Sequence, residues 1–171
     1  MVTDKQDWML KTRDWLLSII PSGCPVIGIC FGHQLLADAL GGAVCDHPRG
    51  WEIGTVDIQR TSESDDDPLL GMLPRRFNAQ AVHRQTVCRP PAGAAILARN
   101  HHDDCHAFRY GRSVWGVQFH PEFTVERVNL SISRIKTEGL APGMDWDAIE
   151  RRLCDTPDAR SVLKRFASLT H

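Results

Sequence analysis

The sequence predicts one α/β domain, and three features of the chain indicate this class. The first is a wholly apolar run, Pro25 to Ile29, which has the composition of a strand buried on both faces of a parallel sheet. The second is a helical spacing of apolar residues on each side of that run. The third is a series of short strand-like runs with turn residues between them. A length of 171 residues suits a single domain over residues 1–171.

Two helices are predicted to flank the buried run. Before it, Thr3 and Gln6 match a capping box, and one helical face is expected to carry Trp8, Thr12, Trp15, Leu16 and Ile19. Pro21-Ser22-Gly23 ends that helix. After the run, residues 34–40 are expected to form a helix that Gly41-Gly42 closes. The chain therefore opens as helix, strand, sharp turn and helix.

The rest of the chain predicts further strands and then helices. The strands are expected at residues 54–60, 77–82, 95–99, 106–110 and 114–119, with an acidic surface loop at 61–68. Thr124 is expected to cap a helix whose buried face carries Val125, Val128, Ile132 and Ile135. Two helical pieces follow, the second beginning at Thr156-Pro157 and carrying Val162, Leu163, Phe166 and Leu169.

Composition excludes several classes of function. With 20 basic and 21 acidic side chains the formal charge is -1, which offers no general attraction for nucleic acid or an anionic membrane. No apolar run reaches the roughly 18 residues of a membrane span, and the first residues do not resemble a signal peptide. None of the 6 cysteines forms a Cys-x-x-Cys pair, so we expect free thiols and a cytoplasmic protein.

The first chemical motif is Gly28-Ile29-Cys30-Phe31-Gly32, at the junction of the buried strand and the next helix. Gly-x-Ser-x-Gly at such a junction makes a nucleophile elbow, a tight turn that projects the nucleophile above the sheet edge. Glycines two positions on either side let neighbouring backbone pass closely. The helix N-terminus favours the thiolate of Cys30, and the backbone N–H of Phe31 can donate to a developing oxyanion.

A cysteine nucleophile needs a base, and the second motif supplies one. His120-Pro121-Glu122 follows the last predicted strand. Residues two apart on an extended chain point the same way, so Glu122 is expected to orient His120 while His120 faces Cys30. Nucleophile, base and orienting carboxylate are the three roles of a catalytic triad.

Together these motifs resemble the class I glutamine amidotransferases, and the resemblance covers most of the chain. Residues 25–42 are similar to the family's nucleophile strand, elbow and helix, and residues 114–123 to its His-Pro-Glu segment. Trp51-Glu52-Ile53-Gly54 also resembles a turn of the family. The resemblance is nearest to stand-alone proteins related to the amidotransferase part of GMP synthase.

The resemblance implies a fold and a reaction. The implied fold is a flavodoxin-like three-layer sandwich with a mostly parallel central sheet. The implied reaction is hydrolysis of the glutamine side-chain amide through a cysteinyl thioester, giving glutamate and ammonia without a cofactor or a metal. Gln34 matches the position that helps to hold the amino-acid end of the substrate, and His83, Arg84 and Gln85 match a loop that lines the glutamine pocket. A synthetase subunit or a second copy of the chain is the implied partner.

The chain departs from the family pattern at its start. Only 29 residues precede Cys30, whereas two further βα units would take about 60 residues, so the domain is expected to be N-terminally incomplete. The segment expected to be missing carries a second oxyanion donor in the family. Two other functions therefore stay open, γ-glutamyl hydrolysis of a different substrate and a catalytically silent binding or regulatory role.

Three other polar features have less specific interpretations. We expect His33 to be a packing residue of the elbow rather than a second base. Glu52 is either a surface or turn-fixing carboxylate or a substrate contact. Residues 101–106 contain three histidines, two aspartates and a cysteine, but their spacing matches no zinc motif, so a polar hairpin turn is expected there.

Overall fold

The helices and strands of the chain alternate in its first half, and strands then precede helices. The computed structural model describes residues 1–169. In chain order the elements are α1 (Asp7–Ile19), β1 (Val26–Ile29), α2 (Phe31–Ala39), β2 (Ala43–Asp46), β3 (Glu52–Arg60), β4 (Arg76–His83), β5 (Gln85–Arg89), β6 (Ala95–Arg99), β7 (Ala107–Tyr110), β8 (Val114–Val117), α3 (Val125–Thr137), α4 (Trp146–Arg151) and α5 (Pro157–Ser168). The predicted α/β class is confirmed, and each predicted helix and strand is present.

Six strands form the main sheet in the order β1-β8-β7-β6-β3-β4. The parallel arrangement expected for the sheet is present where β1 pairs with β8, Val26 opposite Val114 and Ile29 opposite Val117. The other pairings of this sheet are antiparallel. Short turns join β6 to β7 and β7 to β8, and such turns can connect only antiparallel neighbours. In this chain β1 is therefore an edge strand, half-buried along most of its length rather than covered on all sides.

Helices cover both faces of the sheet beside β1. Along β8, Val114 packs with α1 and α2 on one face, while Trp115 and Val117 pack with Ala159 and Val162 of α5 on the other. This alternation is the period of two that a strand imposes on its side chains. Farther along the sheet, a third apolar cluster joins Ile53 of β3 to the predicted face of α3. Both layers of helices hold the end of the sheet where β1 gives way to α2.

The first helix buries a different face from the one predicted. Trp8 and Trp15 are 50 % and 57 % exposed, whereas Met9 and Leu16 are buried against the cluster that contains Leu36 of α2. The predicted capping box is also absent, because Gln6 is the N-cap residue and makes no side-chain cap hydrogen bond. The thioether of Met9 fills the narrow space against α2, and both indole rings stay at the surface.

A second sheet was not predicted. Strands β2 and β5 pair antiparallel, with Val44 opposite Val87 and Asp46 opposite Gln85. The two strands are short and lie about forty residues apart in the chain, so neither carries a periodic signal of its own. Within residues 1–169 no helix is long and apolar enough to cross a membrane.

Candidate active site

Cys30 occupies a strained turn between β1 and α2. Its backbone has φ 48° and ψ −99°, a conformation that residues with a side chain rarely adopt. The turn is held in place because the amide of Cys30 donates to the carbonyl of Val117 at 2.8 Å, which continues the pairing of β1 with β8. The strain has a local geometric cause, since the chain must reverse within one residue to enter α2. The side chain is only partly buried, as an elbow nucleophile requires.

The two glycines of the elbow differ in what they permit. A Cβ atom on Gly28 would lie 2.4 Å from the carbonyl oxygen of Gly32 and 2.6 Å from a methyl group of Leu36. A Cβ atom on Gly32 would meet no heavy atom within 4 Å. Close passage of the backbone therefore depends on Gly28, and the expectation of a steric need on both sides of Cys30 is wrong for Gly32.

His120 lies beside the elbow, just after β8. Its amide donates to the carbonyl of Gln80 at 2.8 Å, and its ring stacks on Phe123 with 3.9 Å between the ring centroids. Burial lowers the pKa of His120, but hydrogen bonding to Cys30 and Glu122 outweighs burial and raises that pKa to about 9. Since Glu122 occupies Nδ1, Nε2 is the ring nitrogen left for the thiol of Cys30.

Glu122 approaches His120 from the following turn. Its Oε1 lies 2.7 Å from Nδ1 of His120, and its side chain is 40 % exposed. The two residues are not on an extended strand, as predicted, because β8 ends at Val117 and the amide of Phe123 bonds back to the carbonyl of His120 at 3.3 Å. The turn still brings both side chains to one side. The structure thus places Cys30, His120 and Glu122 together.

Phe31 is the first residue of α2, so no carbonyl of that helix accepts its amide N–H. The helix N-terminus carries a partial positive charge beside Cys30. The ring of Phe31 stacks on Trp8 of α1, with 5.5 Å between the centroids. Phe31 is therefore held by its ring while its amide remains at the position predicted for an oxyanion donor.

A chain of side-chain amides reaches Cys30 from the interior, and the sequence did not indicate it. Nε2 of Gln118 lies 3.5 Å from Sγ of Cys30. Oε1 of Gln118 accepts from Nε2 of Gln34 at 3.0 Å, and the same Gln34 nitrogen donates to the carbonyl of Gln85 at 2.7 Å. Both side chains are buried, so this orientation of the amides is constrained. Gln118 was expected only as a strand residue, and no local pattern distinguishes it.

The residues expected to bind glutamine make their side-chain contacts elsewhere. Besides Gln34, His83 bonds to Glu52, and Arg84 forms an ion pair with Asp46. The amide of Gln85 bonds to the backbone of Val2 at 3.1 Å and to Thr3 and Asp46. None of these side-chain bonds involves Cys30, His120 or Glu122, and a role in substrate binding stays a prediction.

The other polar features are resolved by burial. His33 is fully buried, its ring lies 5.0 Å from that of Phe108, and burial lowers its pKa to about 4, which agrees with a neutral packing residue. Glu52 is 7 % exposed, so the surface interpretation is wrong. Residues 101–106 form the turn between β6 and β7, as predicted, but His106 at its end is buried and bonds to Glu52 at 2.8 Å.

Comparison with known proteins now bears on the same elements. The family profile described as "Glutamine amidotransferase class-I" matches residues 5–136, which include the elbow and the His-Pro-Glu segment. The chain belongs to the class I glutamine amidotransferases.

Relatives of this chain include proteins named as GMP synthases. It is 41 % identical over 115 residues to the "GMP synthase [glutamine-hydrolyzing]" subunit of that kind from Methanocaldococcus jannaschii, covering 66 % of this chain and 58 % of that protein. It is also 41 % identical over 115 residues to "GMP synthase [glutamine-hydrolyzing]" of Aeropyrum pernix, covering 67 % of this chain but 22 % of the relative. The chain thus spans between about a fifth and three fifths of the length of these two relatives.

Solved structures show the same fold. A glutamine amidotransferase of Thermotoga maritima superposes with a TM-score of 0.71 at 23 % identity, covering 98 % of this chain and 68 % of the other. A glutamine amidotransferase of Methylobacillus flagellatus has a TM-score of 0.71 at 28 % identity, covering 99 % and 67 %. The amidotransferase fold expected from the two motifs is therefore confirmed.

Proposed function

We propose that this amidotransferase hydrolyses the side-chain amide of glutamine, with Cys30 as nucleophile. The observation that carries the proposal is the convergence on one strained elbow of a thiol, an imidazole within its hydrogen-bonding reach and a carboxylate 2.7 Å from that imidazole. Family membership makes glutamine the expected substrate. No group other than protein side chains enters the reaction.

In the first half of the reaction, Sγ of Cys30 attacks the amide carbon of glutamine. The raised pKa of His120, about 9, keeps its ring protonated beside the thiolate at neutral pH. His120 then gives its proton to the departing nitrogen as the carbon–nitrogen bond breaks, and ammonia leaves. The product on the enzyme is a γ-glutamyl thioester of Cys30.

The second half of the reaction returns the enzyme to its starting state. His120, now neutral, takes a proton from water as the oxygen of that water attacks the thioester carbon. The carbon–sulfur bond breaks, glutamate leaves and the thiolate–imidazolium pair is restored. Glu122 holds the ring through Nδ1 and stabilises its positive charge, so it transfers no proton.

The surroundings of Cys30 supply electrostatic support. The amide of Phe31 at the start of α2 is the proposed donor to the tetrahedral oxyanion. Gln118 donates to the sulfur, and Gln34 keeps its amide in that orientation. Gln34, His83, Arg84 and Gln85 are proposed to shape the glutamine pocket through their packing and backbone, because their side-chain polar atoms bond to other groups.

The ammonia is proposed to pass to a separate synthetase subunit in the cytoplasm. The relative in Methanocaldococcus jannaschii is named as one subunit of a GMP synthase, which motivates the first part. All six cysteines lie within the described residues and are free thiols, which suits a reducing compartment. Ammonia release that increases on addition of a purified synthetase subunit with its substrates would support this pairing.

The test is ammonia release from glutamine by the purified chain, with Cys30→Ala beside Cys24→Ala. Cys24 is an exposed thiol a few residues away, so its replacement controls for general effects of removing a cysteine. We expect Cys24→Ala to keep activity, Cys30→Ala to lose it, and a diazo-norleucine inhibitor to label Cys30 alone. Labelling that survives Cys30→Ala contradicts the assignment. Faster turnover of γ-glutamyl amines than of glutamine would instead identify a γ-glutamyl hydrolase.

A further inference from the structure

A second cluster of polar side chains is buried beside the sheet, and the proposed reaction does not use it. Glu52 begins β3, His83 ends β4 and His106 immediately precedes β7. Strand pairing places Glu52 opposite His83, and the turn before β7 brings His106 to the same point. Oε2 of Glu52 lies 2.8 Å from Nε2 of both imidazoles. All three side chains are buried, with exposures of 7 %, 4 % and 0 %.

The hydrogen-bonding partners of the two rings do not suit two neutral imidazoles. Nδ1 of His83 faces the carbonyl of Gln85 at 3.0 Å, and its Nε2 faces the carboxylate of Glu52, so both nitrogens meet acceptors. A neutral imidazole has a single N–H and can satisfy only one of them. Nδ1 of His106 is buried and has no partner among residues 1–169. A cation at the common point of the cluster would remove the conflict at His83.

We propose that Glu52, His83 and His106 form a binding site for a zinc ion. The three donor atoms lie within 4.8 Å of one another, and two imidazoles with one carboxylate are a donor set that zinc uses in proteins. Ligand atoms at about 2.0–2.2 Å from a tetrahedral zinc ion are about 3.3 Å apart. Each 2.8 Å contact would therefore widen by about 0.5 Å, which small rotations of the side chains allow.

Neighbouring groups already orient these donors as outer ligands do in zinc sites. With Nε2 on the ion, Nδ1–H of His83 donates to the carbonyl of Gln85, the pattern that fixes the tautomer of a metal-bound imidazole. The side chain of Asn100 donates to Oε1 of Glu52 at 2.6 Å and leaves Oε2 for the ion. Only His106 lacks such a partner at its second nitrogen within the described residues.

An ion can reach this site from solvent. Glu52 and Asn100 line a cavity of about 840 Å³, together with His101 and His102 of the β6–β7 turn. The cavity leaves a fourth coordination position for water or for an incoming group. An ion at the site would join β3, β4 and the start of β7. Because the carbonyl of Val82, next to His83, lies 3.8 Å from Sγ of Cys30, such a joint would also stiffen the wall of the active site.

The experiment compares zinc retained by the wild-type chain with zinc retained by His106→Gln and by His101→Gln. Each protein is stripped with a chelator, incubated with zinc chloride, dialysed and analysed for metal and for thermal unfolding. All three carry the same six cysteines, so zinc on thiols cancels in the comparison. We expect one more zinc ion per chain in the wild type and in His101→Gln than in His106→Gln, and a zinc-dependent rise in Tm only in those two.

A measurement on the wild type alone keeps the proposal testable if His106→Gln does not fold. Nitrogen-15 NMR of the imidazole rings reports which nitrogens carry a proton or a metal. Addition of zinc should move the Nε2 resonances of His83 and His106 together. Unchanged resonances, or equal zinc retention by wild type and a folded His106→Gln, overturn the proposal. Neither readout depends on glutamine hydrolysis.

Discussion

Replacing Gly28 by alanine tests the steric origin of the elbow. The new methyl group would lie 2.4 Å and 2.5 Å from the carbonyl oxygen and carbon of Gly32, and 2.6 Å from a methyl group of Leu36. These distances are about 1 Å shorter than ordinary contacts between such atoms. Two of the three atoms belong to the backbone of α2, so rotation of a side chain cannot relieve the contact. The first turn of α2 must move away from β1.

The expected cost follows from that displacement. Overpacking of a filled interior typically costs about 1–3 kcal/mol of the free energy of unfolding. The movement also carries Cys30, which lies between the strand and the helix, and a misplacement of about 1 Å can cost on the order of 100-fold in rate. Gly32→Ala is the matched control. Its Cβ meets no heavy atom within 4 Å, so it should gain up to about 1 kcal/mol from the helix preference of alanine over glycine.

The assay is urea unfolding of both variants, with the rate of diazo-norleucine labelling as a measure of Cys30 geometry. We expect Gly28→Ala to unfold at lower urea and to label slowly, while Gly32→Ala unfolds at the wild-type concentration or above it. The reasoning fails if Gly28→Ala is as stable as the wild type and labels at the same rate. It also fails if Gly32→Ala is destabilised as much as Gly28→Ala, because the structure shows no contact to cause this.

Three further predictions concern the groups around Cys30. The pKa of His120 is raised from 6.5 to about 9, so its protonation stabilises the fold fully below about pH 6.5, and this stability is lost as pH rises through 9. The difference in unfolding free energy between wild type and His120→Gln should shrink over that range, and a constant difference would refute the linkage. Glu122→Gln should slow ammonia release less than His120→Gln, because an amide oxygen still accepts from Nδ1–H but does not stabilise the cation; equal losses would contradict this role. Gln118→Leu removes the donor 3.5 Å from Sγ of Cys30, and should slow iodoacetamide alkylation of Cys30 by about tenfold or more, since a hydrogen bond to a charged group contributes about 1.5–3 kcal/mol. An unchanged alkylation rate would show that Gln118 does not act on the thiolate.

Much of the fold followed from short-range patterns. The apolar run before Cys30 is β1, and the glycine pair after residue 40 ends α2, with Gly41 at φ 84°. Thr124 caps α3 and accepts from the amide of Arg127 at 3.3 Å, as predicted. These signals were readable because turns, caps and periodic faces depend on residues a few positions apart.

The errors have a common cause in competition between distant parts of the chain. Trp8 and Trp15 fit a helical face, yet the face beside α2 has room for the flexible side chain of Met9 and for Leu16. The β2–β5 sheet and the direction of the inner strands depend on which segments become neighbours. Composition shows that a strand is apolar, but it does not show which strand lies beside it.

The sequence by itself determined the kind of chemistry. Cys30 between a strand and a helix, and His120 two residues from Glu122, form motifs whose members are close enough in the chain to be recognised together. Only the tertiary structure decided which interior groups meet. Gln34 and Gln118 are 84 positions apart, and Glu52 and His106 are 54 apart, yet each pair is in hydrogen-bond contact. The physical reason is that strand pairing and burial choose these partners from many polar residues, since a buried polar group is stable only where the fold supplies its hydrogen bond.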